Sequence, residues 1–238
     1  MSVSCFFTTL WSTVRAPVKR HRFTLLALPL LAAVTAPVAA HSLKDVEAAL
    51  RADERYAQFV DTRAPDFRLT DLAGKPVDLA APKGQVVVLN FVYSRCKDVC
   101  PLHMVLIAKL QSRVNAAGMQ ERVRFVTIAT DEEDVASTRK IMAGYAKSYG
   151  LDTRNWQFLY RTTAQPAAAT RQIAEAYGLK FTPVGNSMQM HGLVTHVIDQ
   201  AGQLRARFHG LKFEPMHLVS YVNALVEDDH SIARGAQR

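Results

Sequence analysis

Two cysteines lie close together in the segment SRCKDVCPLHM, residues 94–104. Cys96 and Cys100 are separated by three residues, Pro101 follows directly, and the one other cysteine of the chain is Cys5. Such a pair suits three chemistries, which are a redox disulfide, a bound soft metal ion, and a peroxidatic thiol with its resolving partner. Polar and charged neighbours on both sides favour a functional pair over two buried hydrophobic cysteines.

The spacing of nearby residues separates some of these chemistries. The upstream segment APDFRLTDLAGKPVDLA resembles the opening shared by peroxiredoxins and thiol reductases. A peroxiredoxin, however, carries Pro and Thr before its reactive cysteine, and the segment FVYSRC lacks them. The motif Cys-x-x-Cys-His, which attaches a c-type haem, is also absent from the sequence. Disulfide reductases usually have two residues between their cysteines rather than three, so reductase chemistry stays open without being favoured.

The elements around the pair alternate between strands and helices. The valine-rich run 84–93 predicts a central strand buried on both faces, and Pro101 is predicted to open a helix. Further predictions are hairpins at 67–80 and 193–210, strands at 123–130 and 156–160, and helices at 133–149, 164–177 and 214–226. This order predicts one α/β domain over residues 61–227, with a helical lead-in at 41–60 and a loose tail at 228–238.

The cysteines fall where an α/β fold usually places its active crevice, which is beyond the carboxyl ends of the strands. We expect Cys100 at the N-terminus of the following helix, where free N–H groups and the helix dipole stabilise a thiolate. The acidic run 131–134 ends the next strand on the same side of the sheet. It is interpreted as the solvated start of a helix, and a docking surface for a basic partner is the less favoured alternative.

The first 40 residues have the pattern of an export signal. They contain four basic residues and no acidic residue, and the apolar run FTLLALPLLAAVTAPVAA at 23–40 ends in small residues that suit a cleavage site. The segment is predicted to be cleaved or to stay as a membrane anchor, which places the domain in the periplasm. Of the formal net charge of +8, the remainder carries +4 without a basic–aromatic run, so nucleic-acid binding is not predicted.

His191 is the best candidate for a third metal ligand. Cu(I) accepts two or three soft ligands, whereas a structural zinc site requires four. His191 is expected in a polar, glycine-flanked loop before a strand, beside Met188 and Met190. His103, which follows Pro101 by two residues, is interpreted as a histidine on the helix surface, and a ligand role is the alternative.

Together, the cysteine and histidine motifs resemble the Sco/SenC family. The resemblance rests on Cys-x-x-x-Cys-Pro after an apolar strand and on His191 eight residues before Asp199, and it spans roughly residues 64–225. It implies a thioredoxin-like central sheet flanked by helices, with an N-terminal hairpin. It also implies a membrane-tethered protein that binds copper through Cys96, Cys100 and His191 and assists assembly of the copper centre of cytochrome c oxidase.

Two positions depart from that family's pattern. Lys97 replaces the usual proline between the cysteines, and Met190 stands where an aspartate commonly precedes the histidine. Met190 removes a carboxylate that would orient the imidazole and adds a thioether that can ligate Cu(I).

Two functions follow as expectations. In the first, the protein is a copper metallochaperone that delivers copper to a membrane oxidase subunit or reduces its cysteines, with a thiol reductase as a further partner. In the alternative, Cys96 and Cys100 are a redox-active pair that cycles without metal, and the protein is a thiol–disulfide oxidoreductase acting on an exported or membrane partner.

Overall fold

The computed structural model describes residues 42–79, 84–184 and 188–235 of the 238-residue chain. The predicted export segment, residues 1–40, lies outside the described residues. Within the described ranges, no helix has both the length and the apolar character that crossing a lipid bilayer requires.

Ten strands within the described residues form two sheets. The strands are β1 (Ala57–Arg63), β2 (Arg68–Asp71), β3 (Pro76–Asp78), β4 (Val86–Val92), β5 (Val123–Ala129), β6 (Trp156–Tyr160), β7 (Phe181–Val184), β8 (Met188–His191), β9 (Val194–Ile198) and β10 (Gln203–His209). Eight of them form the main sheet in the order β1-β10-β9-β4-β5-β6-β2-β3, and β7 pairs with β8 alone. Because β4, β5 and β6 run parallel, the segments that follow them meet at one edge of the sheet.

Strand β4 lies at the centre of the fold and all seven of its residues are buried. Its side chains alternate between the faces, so Val86 and Val88 join one hydrophobic cluster while Val87 and Leu89 join the cluster on the other side. A run of apolar residues without alternation is what a strand covered on both faces requires. The sequence therefore predicts the burial of β4 correctly.

Five helices of the described part of the chain cover the sheet. They are α1 (Leu43–Asp53), α2 (Val99–Ala116), α3 (Val135–Tyr149), α4 (Ala169–Ala176) and α5 (Pro215–Gly235). Buried residues of α2, α3 and α5 share the cluster that contains Val86, whereas α4 contributes Ala174 to the opposite cluster. Helices thus flank both faces, as the alternation of elements predicts. Gly150 ends α3 with a φ of 65°, a left-handed conformation that glycine adopts without strain.

Several sequence predictions were wrong in their bounds. Residues 57–63 form β1, which pairs with β10 at the sheet edge, although residues 57–60 were predicted as the end of a helical lead-in. The backbone of residues 228–235 continues α5, although a loose tail was predicted there. Helix α4 begins at Ala169 rather than at residue 164, because Pro166 lies in the preceding turn, where the carbonyl of Pro166 accepts a hydrogen bond from Ala169. Sequence periodicity locates elements better than their ends.

A buried carboxylate links the end of α1 to the start of α5. The side chain of Glu54, just after α1, is 4% exposed. It accepts hydrogen bonds from the backbone N–H groups of Tyr56 and Glu214 at 2.9 and 2.8 Å, and from Nδ1 of His217 at 3.0 Å. Burial opposes ionisation of Glu54, but the hydrogen bonds outweigh burial and hold its pKa below the ordinary value of 4.5.

We expect Glu54→Gln to lower the free energy of unfolding by about 2 kcal/mol at neutral pH, because an amide leaves one of the buried donors without an acceptor. Since the folded pKa of Glu54 is depressed, the carboxylate contributes fully above pH 4.5, and its contribution is lost as the pH falls below that value. The difference between the two proteins should therefore shrink on acidification. Denaturant titrations at several pH values measure it, and Glu121→Gln, at an exposed position, is the matched control.

Candidate metal centre

The turn between β4 and α2 carries both cysteines, and α2 begins at Val99, before the predicted Pro101. Cys96 is partly exposed and is a free thiol. Burial opposes its ionisation, but backbone N–H groups of Cys100, Asp98 and Val99 donate to its sulfur and together hold the pKa of Cys96 below the ordinary value of 9.0. The first turn of α2 therefore stabilises a thiolate at Cys96.

Cys100 has the opposite environment, which corrects the prediction that it would carry the stabilised thiolate. Although it lies in the first turn of α2, its side chain is only 3% exposed. Burial, together with its hydrogen bond to Cys96, raises the pKa of Cys100 to about 12. The polar residues around the pair misled the prediction, because they surround Cys96 while Cys100 turns into the core.

His191 is the last residue of β8, not part of a loop as predicted, and lies opposite Phe181 in the hairpin register. Its ring contacts the ring of Phe181 in a tilted arrangement, with 5.1 Å between the ring centroids. His191 is 9% exposed. Nδ1 lies 3.0 Å from the carbonyl of Gly192, so Nδ1 carries the proton and Nε2 presents a lone pair. Among the described residues, that buried Nε2 has no hydrogen-bond partner.

His103 lies within the fold, although a surface position was predicted. It is on α2, one turn after Cys100, and is 0% exposed. Nε2 lies 3.0 Å from Oγ1 of Thr195 on β9, while Nδ1 finds no partner in the part of the chain that the structure describes. Burial, and to a smaller extent the charge of His191, lower the pKa of His103 to about 4.

The cysteine turn is tied to β5 through Asp131, which is 3% exposed rather than solvated as predicted. The N–H of Ser94 donates to Asp131 at 2.9 Å, and the Ser94 hydroxyl and the Arg95 guanidinium donate to the same carboxylate. The hydroxyl of Tyr145 on α3 donates to the Ser94 carbonyl at 3.0 Å. Hydrogen bonds thus hold Ser94 at its backbone N–H, carbonyl and hydroxyl groups, and they hold Arg95 at its guanidinium group.

The candidate donors come from two separate elements. Cys96 and Cys100 lie at the start of α2, and His191 lies on the β7–β8 hairpin, which is outside the main sheet. Within the described ranges, no three His, Cys, Asp or Glu side chains are grouped closely enough to hold a metal ion. Binding through all three donors would therefore require the hairpin and the turn to approach each other. The side chain of Met190 lies outside what the structure describes.

Comparison with known proteins assigns the chain to a family. The SCO1/SenC profile matches residues 55–227, which is most of the sequence. The chain belongs to the SCO1/SenC family. The SCO1 protein homolog of Bacillus subtilis is 23% identical over 155 residues, covering 63% of this chain and 75% of that protein. The thiol–disulfide oxidoreductase ResA of Bacillus thuringiensis is 32% identical over 92 residues, which are 39% of this chain and 47% of ResA.

Solved Sco structures have the same fold. BsSco, described as a member of the Sco family of cytochrome c oxidase assembly proteins, has a TM-score of 0.61 at 20% identity, and the match covers 71% of this chain and 96% of BsSco. ScoI of Bradyrhizobium japonicum, solved with copper bound, has a TM-score of 0.54 at 24% identity, with 69% and 99% covered. At these identities, the likeness establishes the fold, and the predicted thioredoxin-like architecture is confirmed.

The main residue that sequence reasoning underestimated in this SCO1/SenC protein is Asp131. Its position at the end of β5, beside the end of β4 in a parallel pair, was visible in the sequence pattern. The acidic neighbours at 132–134 suggested solvent, although Asp131 follows the buried strand β5 by only two residues. Thr195 carried no comparable signal, because its role depends on the pairing of β9 with β4.

Iodoacetamide should alkylate Cys96 at a lower pH than Cys100 in the reduced chain. The N–H groups of α2 depress the pKa of Cys96, whereas burial raises that of Cys100 to about 12. Timed alkylation across the alkaline range, followed by cleavage after Lys97, separates the two cysteines into different peptides for mass analysis. In denaturant the two profiles should coincide, and equal profiles in the folded protein would contradict the assignment.

Asp131→Asn should move the alkylation midpoint of Cys96 upward and lower the free energy of unfolding by about 2 kcal/mol. The amide keeps the shape of the carboxylate but loses the ion pair with Arg95, so the turn that directs N–H groups at Cys96 is held less firmly. Asp152→Asn removes another arginine-paired carboxylate near the opposite end of α2 and is the control. A normal Cys96 profile in Asp131→Asn would show that the turn does not depend on this ion pair.

Proposed function

We propose that this protein is a copper chaperone that carries its metal on Cys96, Cys100 and His191. Copper is the cargo in this proposal, received and passed on rather than retained. The two thiols provide soft ligands one helical turn apart, and the histidine provides an imidazole from a separate hairpin. Membership of the SCO1/SenC family and the likeness to a copper-bound ScoI support copper over other metals.

The observation that carries the proposal is the state of the His191 ring. Its Nδ1–H donates to the carbonyl of Gly192, so the tautomer is fixed with the Nε2 lone pair free. A buried ring nitrogen without a partner costs free energy, and a bound ion is one of the explanations for such a group. Metal-bound histidines typically donate their other ring N–H to a carbonyl or carboxylate in this manner.

The ligand types favour copper over zinc. A structural zinc site requires four ligands, usually with a closed tetrahedral shell. Two thiolates and one imidazole leave such a shell incomplete, but they satisfy Cu(I), which accepts two or three soft ligands. Cys96, whose pKa is lowered by the N–H groups at the start of α2, loses its proton more readily and provides the first contact. Cys100, whose pKa is raised to about 12, loses its proton only when the metal binds and compensates for the charge.

The proposed partner is the copper-receiving subunit of a membrane oxidase, with a thiol reductase to keep the dithiol reduced. The membership of BsSco in a family of cytochrome c oxidase assembly proteins supports this partner. The basic and apolar segments within residues 1–40 support export to the periplasm, as a released domain or attached to the membrane through residues 23–40. An exported dithiol needs a reductant, since the compartment is oxidising.

One specific observation favours a second candidate, thiol–disulfide oxidoreduction. A lowered pKa at a partly exposed cysteine, followed by a buried cysteine one turn later, is the usual arrangement of an attacking and a resolving thiol. The partial match to ResA agrees with this chemistry, although it spans less than half of ResA. In this candidate, Cys96 attacks a partner disulfide and Cys100 releases the partner, while His191 has no required role.

His191→Ala separates the two candidates. We expect the variant to bind copper at least roughly 100-fold more weakly, because removal of a ligand should cost no less than loss of a residue that orients one. Disulfide exchange by Cys96 and Cys100 should be nearly unchanged. Chelator competition measures the affinity for Cu(I) and Cu(II), and the rate of reaction with oxidised glutathione measures exchange. His209→Ala, at an exposed position on β10, is the control.

The same titrations include zinc. One copper per chain, with thiolate-to-Cu(II) absorption in the oxidised form and displacement of bound zinc, would support the chaperone. Copper affinity that is unchanged in His191→Ala would favour the oxidoreductase instead. Zinc bound in stoichiometric amount that copper fails to displace would contradict the proposed cargo.

A further inference from the structure

His103 is a buried titratable side chain that the three proposed ligands leave unused. It is 0% exposed, yet only one of its ring nitrogens has a partner in the described part of the chain. Nε2 is held by the hydroxyl of Thr195 at 3.0 Å, which fixes the orientation of the ring. The unpartnered Nδ1 costs free energy in an apolar interior unless something binds it.

The position of His103 on α2 points it toward the cysteines. Residues three apart on a helix share a face, so His103 and Cys100 lie one above the other. Thr195, which holds the ring from the other side, faces α2 from β9, four residues after His191 along the chain. His103 therefore lies on the helix that carries Cys100 and contacts β9, the strand that follows the His191 hairpin along the chain.

His103 and His191 share one feature: each ring is buried, and each has one nitrogen without a partner among the described residues. In His103 that nitrogen is Nδ1, which presents a lone pair when Nε2 carries the proton and donates it to Oγ1 of Thr195. The described side chains do not group three donors around one metal position, so both imidazoles bind one ion only when the His191 hairpin approaches α2.

We propose that Nδ1 of His103 is a fourth copper ligand, used with Cys96, Cys100 and His191 when the ion is Cu(II). This inference rests on the proposed function and adds a ligand to that centre. Cu(II) favours four ligands in a tetragonal arrangement, whereas Cu(I) is satisfied by two or three soft ones. His103 would thus bind the oxidised ion and leave the reduced ion to the softer donors, so it favours Cu(II) over Cu(I).

His196, which follows Thr195 on β9, provides a comparison for His103. It is also fully buried, and its Nδ1 also has no partner in the described part of the chain, while Nε2 lies 3.2 Å from the carbonyl of Tyr177. Its ring, however, packs against Phe91 and Tyr177 on the face opposite Thr195, away from α2. An unpartnered nitrogen alone therefore does not indicate a ligand, and the position beside Cys100 and His191 distinguishes His103.

The test counts imidazoles bound to Cu(II) by electron spin-echo envelope modulation on the full chain with isotope-labelled histidine. We expect two imidazoles in the wild type, one in His103→Gln, one in His191→Gln and two in His196→Gln. Glutamine at position 103 keeps a polar atom for Thr195 but has nothing at Nδ1. The affinity for Cu(II) should fall roughly tenfold or more in His103→Gln, while the affinity for Cu(I) stays unchanged.

The outcomes separate this inference from the proposed function. One imidazole in the wild type, lost only in His191→Gln, would overturn the role of His103 and leave the chaperone intact. Two imidazoles that both persist in His103→Gln would overturn it as well. The wild-type count decides the matter even if His103→Gln fails to fold. Absence of thiolate-to-Cu(II) absorption in the wild type would overturn the proposed function itself, and the fourth ligand with it.

Discussion

The hydrogen bonds from Ser94 to Asp131 join the ends of two parallel strands, and the geometry of the cysteine turn depends on them. Parallel strands bring the segments that follow them to one edge, but they leave those segments free to diverge. Here a buried carboxylate after β5 receives the N–H and hydroxyl of Ser94 after β4. With that turn fixed, α2 starts early enough for its first N–H groups to face Cys96.

That early helix start makes the two thiols chemically unequal. Cys96 lies outside α2 and receives the helix N–H groups, whereas Cys100 lies inside the first turn and is removed from solvent. One side chain is prepared to ionise and the other to stay protonated until a partner arrives. The same asymmetry suits a soft metal that binds stepwise and a disulfide that forms by attack and resolution, and so the thiols alone do not decide between the two functions. The distinction depends on the histidines.

The sequence predicts the fold well where a pattern is local and strong. The apolar run of β4 predicts a central strand, and Pro101 with its apolar face predicts α2, because burial on two faces and helix initiation each leave a short signal. It fails where tertiary packing decides. His103 looks like a surface residue until β9 is placed against α2, and the thiolate is assigned to the wrong cysteine until the helix start is known to within two residues. The sequence also suggests a solvated Asp131, because an acidic run such as 131–134 usually faces solvent.

The distribution of donors over two elements suits a metal that must be released. A centre whose ligands all come from one rigid sheet holds its ion firmly, since no donor can leave without distorting the core. In the arrangement proposed for this chain, Cys100 and His103 belong to α2, which packs on the main sheet, and Cys96 lies in the turn just before it. His191 belongs to a two-stranded hairpin with its own pairing. Because the hairpin pairs with no strand of the main sheet in the described part of the chain, its motion would remove one ligand without breaking the hydrogen bonds of that sheet. An acceptor could replace that ligand first and take the copper without unfolding the donor.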